Sequence, residues 1–227
     1  MIHNPKMECM DRESMRKLQS ERLIKTVKRC YENVPFYKQK MDELGVKPED
    51  IKSIDDICKL PFTTKHDLRD EYPFGLQAVP ISDVRRIHAS SGTTGKPVVD
   101  TYTENDLACW AEGVARCMAV ADIGPGDTVQ VSYGYGLFTG GLGAHDGAAV
   151  RGAIQLPTSA GNTEKQIMLM QDFGSNALCC TPSYAMHIAE AIHASKEVSV
   201  NKLKLRAGFF GAEPRTEGMR KELESKL

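Results

Sequence analysis

Between Asp11 and Val34 the apolar residues Ile24, Val27, Tyr31 and Val34 recur three and four apart, the spacing of one helical face. Asp11 stands where a cap is needed and Pro35 where the helix must stop, so the pattern predicts an amphipathic helix with a solvated outer face of Arg, Lys and Glu. Gly45, Pro48, Pro61, Pro73 and Pro80 then cut the chain into short pieces. Within them Ser53 with Asp56, and Thr64 with Asp67, have capping-box spacing, which predicts two short helices. Such a segment rarely builds a core alone, so residues 1–80 are expected to form a small helical N-terminal appendage.

The period changes at Val84. Residues 84–89 and 98–102 read as an outgoing and a returning strand. Thr103 with Asp106 then opens a helix whose Leu107, Trp110, Ala111, Val114, Ala115 and Met118 make one apolar stripe, read as core. Gly124-Pro125-Gly126-Asp127 ends it, and residues 128–133 read as a buried strand. Helical and strand-like stretches alternate from there: 141–149, 153–156, 164–173, 177–181, 184–194 and 205–210, with a last helix over 216–227. The fold class expected for residues 81–227 is therefore α/β, a mainly parallel sheet with helices on both faces. Ligands of such sheets sit beyond the carboxyl ends of the strands.

Composition narrows the partners. The chain has 227 residues, 41% hydrophobic and 26% charged, with a formal net charge of −1 and its Lys and Arg scattered. Nucleic acid and anionic membrane are poor partners for such a surface. Met1 to Lys17 has no apolar core, and no apolar run is long enough to span a bilayer, so a cytoplasmic protein is expected. Cys9, Cys30, Cys58, Cys109, Cys117, Cys179 and Cys180 form an odd set without a C-x-x-C pair, read as reduced thiols that mostly pack; no metal ligand is nominated.

Three loops follow strand candidates. In Ser90-Ser91-Gly92-Thr93-Thr94-Gly95-Lys96-Pro97, glycines let successive N–H groups converge on an anion, hydroxyls add donors, and Lys96 adds a full charge. The stretch is not a Walker loop, because Ser90 and Pro97 stand where Gly and a magnesium-binding hydroxyl are required. The residues leave two readings open, a phosphate grip and a solvated hairpin loop. In the second loop, residues 133–143, Tyr135 and Phe138 offer flat walls among glycines, either bordering a small ligand or covering the core. The third is Gly211-Ala212-Glu213-Pro214, in which Glu213 is either a functional acceptor or an acid favoured near the start of the last helix.

Together these residues resemble the phenylacetate–CoA ligase branch of the adenylate-forming enzymes. The likeness is carried by Tyr31 through Tyr37, Leu60-Pro61-Phe62-Thr63-Thr64-Lys65, His88 through Pro97, Tyr133 through Gly143, Thr181-Pro182-Ser183-Tyr184 and Gly211 through Pro214. It implies two steps: adenylation of an aryl carboxylic acid such as phenylacetate by ATP with Mg2+, then thioester formation with coenzyme A. It also implies residue roles. Ser90, Ser91, Gly92, Thr93, Thr94, Gly95 and Lys96 hold the triphosphate, with Lys96 and Thr93 as catalytic candidates. Gly211, Ala212, Glu213 and Pro214 line the adenylate, and Tyr135, Phe138, Gly140 and Gly141 border the acid. Lys65 either approaches the active site or is a solvated lysine at a helix start.

Members of that branch continue for about as many residues again. The Tyr-Gly-x-Thr-Glu segment, the ribose-binding aspartate and the C-terminal catalytic lysine of the resemblance are absent here, so little turnover is expected of these residues alone. The chain is then either the N-terminal part of a ligase or a non-catalytic module that binds nucleotide or acyl-adenylate. It would be completed by the missing C-terminal half or by a complementary chain; a truncated sheet would expose an apolar face or an unpaired edge, where pairing as a homodimer would be a fragment's artefact. Arg215, Asp146 and Arg151 depart from the family's usual tryptophan, aromatic and aliphatic residues.

Overall fold

The computed structural model describes residues 1–90, 96–195 and 198–227. They group into two compact units, Asn4–Asp106 and Leu107–Leu227, the latter joined by Met1–His3.

In the unit Asn4–Asp106, the short helix α1 (Pro5–Glu8) precedes α2 (Arg12–Asn33), whose first turn is capped by the Asp11 carboxylate accepting from the Ser14 N–H. Pro35 ends α2 as expected and also starts α3 (Pro35–Glu43), a helix the spacing did not announce. Proline suits that first position because its missing N–H would have no partner there. Val27, Met41 and Ile51 bury themselves where α2, α3 and the following turn meet. The Ser53–Asp56 box forms and caps a 3-10 turn, Ile54–Lys59, while the Thr64–Asp67 box caps the α-helix α4 (Lys65–Asp70). The strands β1 (Val84–Ala89) and β2 (Val99–Thr103) pair antiparallel, with Ala89 opposite Val99.

In the other unit, α5 (Glu104–Val120) presents the expected stripe, with Ala111, Ala115, Met118 and Ala119 buried. There follow β3 (Thr128–Val131), α6 (Gly140–Val150), β4 (Ile154–Leu156), α7 (Thr163–Asp172), β5 (Ala177–Cys180), α8 (Pro182–Ala194), β6 (Ala207–Phe210) and α9 (Glu217–Lys226). The four strands form one parallel sheet in the order β4-β3-β5-β6. Alternation along β5 divides the interior: Ala177 and Cys179 join Val129 and Val131 against Met118, Ala144 and Ala148, while Leu178 and Cys180 face Ile167, Ile188 and Leu223. Helices therefore cover both faces, as the alternating pattern requires. Every residue of β3 and β5 is buried.

One polar device crosses this interior. Gln130 Nε2 donates to Gln166 Oε1 at 2.7 Å, Ser132 Oγ donates to the same oxygen at 2.8 Å, and Ser175 Oγ donates to Gln130 Oε1 at 2.9 Å. Gln166 Nε2 in turn donates to the Ser159 carbonyl at 2.6 Å, fastening the loop after β4. The packing role expected of the cysteines holds for the buried Cys179 and Cys180 and fails for Cys9, Cys58, Cys109 and Cys117, which are exposed. Burial pushes the Cys179 thiol up to about 12, so it stays neutral within the sheet.

Candidate functional site

The first loop springs from the hairpin in the unit Asn4–Asp106. Ser90 closes its neck twice: its N–H donates to the Val98 carbonyl at 2.9 Å, and its Oγ accepts from the Val98 N–H at 2.9 Å. The Ser90 hydroxyl thus holds the loop's base and keeps its own proton for a further partner. Ser91, Gly92, Thr93, Thr94 and Gly95 lie outside the described residues. Lys96, on the returning side, holds its Nζ 5.4 Å from the centre of the Tyr72 ring. Such an exposed cation–π contact contributes about 0.5–1 kcal/mol, weak enough for an anionic ligand to displace. Just below the neck, His88 is buried and meets Tyr102 edge to face, with ring centres 5.5 Å apart.

Lys65, in the same unit, is the exposed first residue of α4. The turn that presents it is rigidly built. Asp67 accepts from the Thr64 N–H at 2.6 Å and the Thr64 hydroxyl at 2.8 Å, and pairs with Lys40 at 3.1 Å. The Thr64 backbone and side-chain bonds, then Lys40, hold the Asp67 carboxyl down at about 2.

The other two loops belong to Leu107–Leu227 and emerge from the carboxyl ends of β3 and β6. After β3, Gly141 lies so close to the chain that an added Cβ would stand 2.8 Å from the Gly134 carbonyl oxygen. Only glycine lets the loop fold back onto the start of α6 here. Tyr135 is half-buried, its phenol 3.4 Å from His145 Nδ1 and its ring edge-on to the imidazole; burial pushes the phenol up to about 12. Phe138 is 53% exposed, its ring packed over Gly140, where a Cβ would come within 2.8 Å of Cε1. Phe138 thus lies on the Gly140 backbone at the start of α6, and Tyr135 beside His145 of the same helix.

After β6, the Gly211–Pro214 turn is anchored from two sides. Tyr133 Oη accepts from the Gly211 N–H at 2.8 Å, and burial pushes the Tyr133 phenol up to about 12. Glu213 faces α8, not the last helix: its carboxylate accepts from the Ser183 N–H at 3.2 Å and the Ser183 hydroxyl at 2.9 Å. A carboxylate over the first turn of α8 satisfies an otherwise orphan N–H and complements the helix dipole. Between these anchors Ala212 takes φ 68°, a left-handed conformation that costs a non-glycine residue about 1 kcal/mol or more. Its neighbours hold that conformation in place, and the turn presents its backbone beyond the strand end.

Sequence reasoning did not nominate Tyr133, Ser183 or His145; Tyr133 and Ser183 lay in stretches it had singled out, and His145 two residues beyond one. Their signal was available only as proximity. The departures also acquire places: Arg151 Nε donates to the Ile123 carbonyl at 2.7 Å and its Nη1 lies 3.0 Å from His3 Nδ1, a structural tie.

No family model matches the chain. It is, however, 50% identical over all 227 residues to the phenylacetate-coenzyme A ligase of Thermus thermophilus, covering 51% of that protein. It is 49% identical to the Escherichia coli phenylacetate-coenzyme A ligase, covering 53% of it. The whole chain is thus similar to phenylacetate-coenzyme A ligases. It spans about half the length of the curated relatives it matches. Among solved structures, that of 2-hydroxyisobutyryl-CoA ligase in complex with 2-HIB-AMP and CoA superposes with a TM-score of 0.90 at 30% identity, over 98% of this chain and 49% of that one. The fold of this chain is therefore similar to that of about half of that ligase.

Proposed function

We propose that the chain serves an acid–thiol ligase that activates an aryl carboxylic acid, phenylacetate or a close analogue, with ATP and passes the acyl group to coenzyme A. The observation that carries this reading is end-to-end identity of 50% to a phenylacetate-coenzyme A ligase, on a fold matching that of a ligase holding an acyl-AMP and CoA. In the first step a carboxylate oxygen bonds to the α-phosphorus and pyrophosphate leaves. In the second the coenzyme A sulfur bonds to the acyl carbon and AMP leaves.

The chain's own residues supply positioning and charge. Lys96 and the hydroxyls and N–H groups of Ser90, Ser91, Gly92, Thr93, Thr94 and Gly95 bind the triphosphate, and Lys96 with Thr93 steadies the departing pyrophosphate. The anchored turn Gly211, Ala212, Glu213 and Pro214 offers backbone groups to the adenylate. Tyr135, Phe138, Gly140 and Gly141 form the wall for the acid's ring, and the neutral phenol of Tyr135 adds a donor without repelling a carboxylate. Lys65 joins the substrate-binding residues, approaching the active site from the N-terminal segment. Magnesium characteristically binds through substrate phosphates and few carboxylates, and would enter with the nucleotide.

No helix among the described residues is long and apolar enough to cross a membrane. With mixed surface charge and free thiols, the reading places the protein in the cytoplasm. A second reading is a module that binds nucleotide or acyl-adenylate without turnover. Carboxylate-dependent exchange between ATP and pyrophosphate decides between them. The ligase reading expects exchange once the remaining portion of a ligase is joined to this chain. Its absence from that completed protein would leave the module.

A further inference from the structure

The Gly211–Pro214 turn is tied to the segments that follow two other strands. In the sheet order β4-β3-β5-β6, the strands β3 and β6 are not neighbours, because β5 lies between them. Tyr133 stands two residues after β3, yet its phenol reaches the end of β6. There its Oη accepts from the Gly211 N–H at 2.8 Å and donates to the Phe209 carbonyl at 3.4 Å, straddling Phe210. The β5–β6 ladder stops with Cys180 opposite Phe210. One residue further on, the phenol takes a backbone N–H that would otherwise need another partner. Because burial pushes this phenol up to about 12, it keeps its proton and can make both bonds at once. The second tie is Glu213, whose carboxylate accepts from the Ser183 N–H and hydroxyl at the start of α8.

Between the two ties stands Ala212, at φ 68°. Alanine disfavours this left-handed region because its Cβ crowds the backbone, whereas glycine enters it freely. Local preference alone would therefore let the turn relax. Fixed bonds on the residues at either side, Gly211 and Glu213, over-determine the backbone, and that is the condition under which such a conformation persists. Ala212 and Pro214 themselves stay exposed. We propose that Tyr133 is a positioning residue for the acyl-adenylate: its phenol sets the backbone of the Gly211–Pro214 turn before the nucleotide arrives, so that binding does not have to order it. The inference rests on reading that turn as the surface that meets the adenylate. It adds that the segment after β3 serves the nucleotide as well as the acid.

The test is a double-mutant cycle on the 227-residue chain, titrated calorimetrically with a non-hydrolysable phenylacetyl-adenylate analogue. Tyr133→Phe keeps the ring and removes only the hydroxyl, and is expected to weaken binding at least about fivefold. Ala212→Gly alone is expected to stay within about twofold, because the conformation it eases is already held. On the Tyr133→Phe background the same Ala212→Gly should restore most of the lost affinity, because glycine takes the left-handed region unaided. A phenol that merely stabilised the fold would give no such rescue. Affinity within about twofold of wild type in Tyr133→Phe, or a double variant no tighter than that single one, would overturn the inference and leave the reading of the turn intact. An analogue that does not bind the wild-type chain removes that reading, and this role with it. Amide exchange without ligand gives a second measurement: Tyr133→Phe must speed exchange at Gly211 at least about tenfold, and an unchanged rate means that the phenol does not hold the turn.

Discussion

The two units of this chain are held together in different ways. Leu107–Leu227 is specified by its interior: two fully buried parallel strands, helices on both faces, and a hydrogen-bonded glutamine pair between. Asn4–Asp106 has a small cluster around Val27, Met41 and Ile51, and relies on local devices. Caps at Asp11, Ser53 and Thr64, and the half-exposed pairs Arg16–Asp55, Lys47–Asp42 and Lys59–Asp56, fix its turns. Such exposed pairs contribute little individually. The contrast teaches that loops can rest on either kind of support, a rigid sheet end or a well-capped turn, and that the two should fail differently.

Substitutions can break that contrast. The largest effect is expected at Ile188, wholly buried beneath the sheet, where Ile188→Ala should cost about 2–5 kcal/mol in urea unfolding followed by the sheet's signals. A loss below about 1 kcal/mol would mean the interior is not what holds this unit. Next, Gln166→Leu removes the side-chain acceptor shared by Gln130 and Ser132, which keep the Gln166 carbonyl and the Thr158 hydroxyl as partners, and the donor to the Ser159 carbonyl; it should cost about 1–3 kcal/mol in all and speed amide exchange in the loop after β4. In the other unit Thr64→Ala removes a cap and should cost about 1 kcal/mol, read as fraying of α4 while the sheet is unaffected.

The same turn sharpens the contrast through pH. The Asp67 carboxyl is held at about 2 against an ordinary 3.8, so its folded-state value is depressed. Its stabilisation is fully present above 3.8 and is lost as pH falls through about 2. Acid should therefore loosen α4, and Asp67→Asn should abolish that dependence in helix-resolved exchange. The smallest effect is expected at Tyr133→Phe, which deprives the Gly211 N–H of its acceptor and should cost about 0.5–1.5 kcal/mol, concentrated in the Gly211–Pro214 turn.

Much of this was legible in the sequence because the signals were local. Capping boxes at Ser53, Thr64 and Thr103 and the stripe from Leu107 to Met118 depend on neighbours three or four residues away. The alternation of helix and strand after Thr128 sufficed for a parallel sheet with helices on both faces. What was not legible required distance. Glu213 was weighed against the helix that follows it, yet its partner Ser183 is 30 residues upstream. Gln130 sits in a strand whose alternation gives no hint that its amide is buried against Gln166. The helix Pro35–Glu43 was missed because proline was read as a stop and not also as a start. In the candidate site, Tyr135 and Phe138 were nominated by residue type, while His145 beside Tyr135 emerged only from the fold.

The most direct test of the central claim is calorimetric titration of the chain with magnesium ATP and with a non-hydrolysable phenylacetyl-adenylate analogue, each against the wild-type sequence and Lys96→Ala. If Lys96 grips the phosphates that leave, the substitution weakens ATP binding at least about tenfold, some 1.4 kcal/mol, and leaves the adenylate analogue within about twofold. Equal weakening of both ligands, or no binding of either to the wild-type chain, would contradict the account.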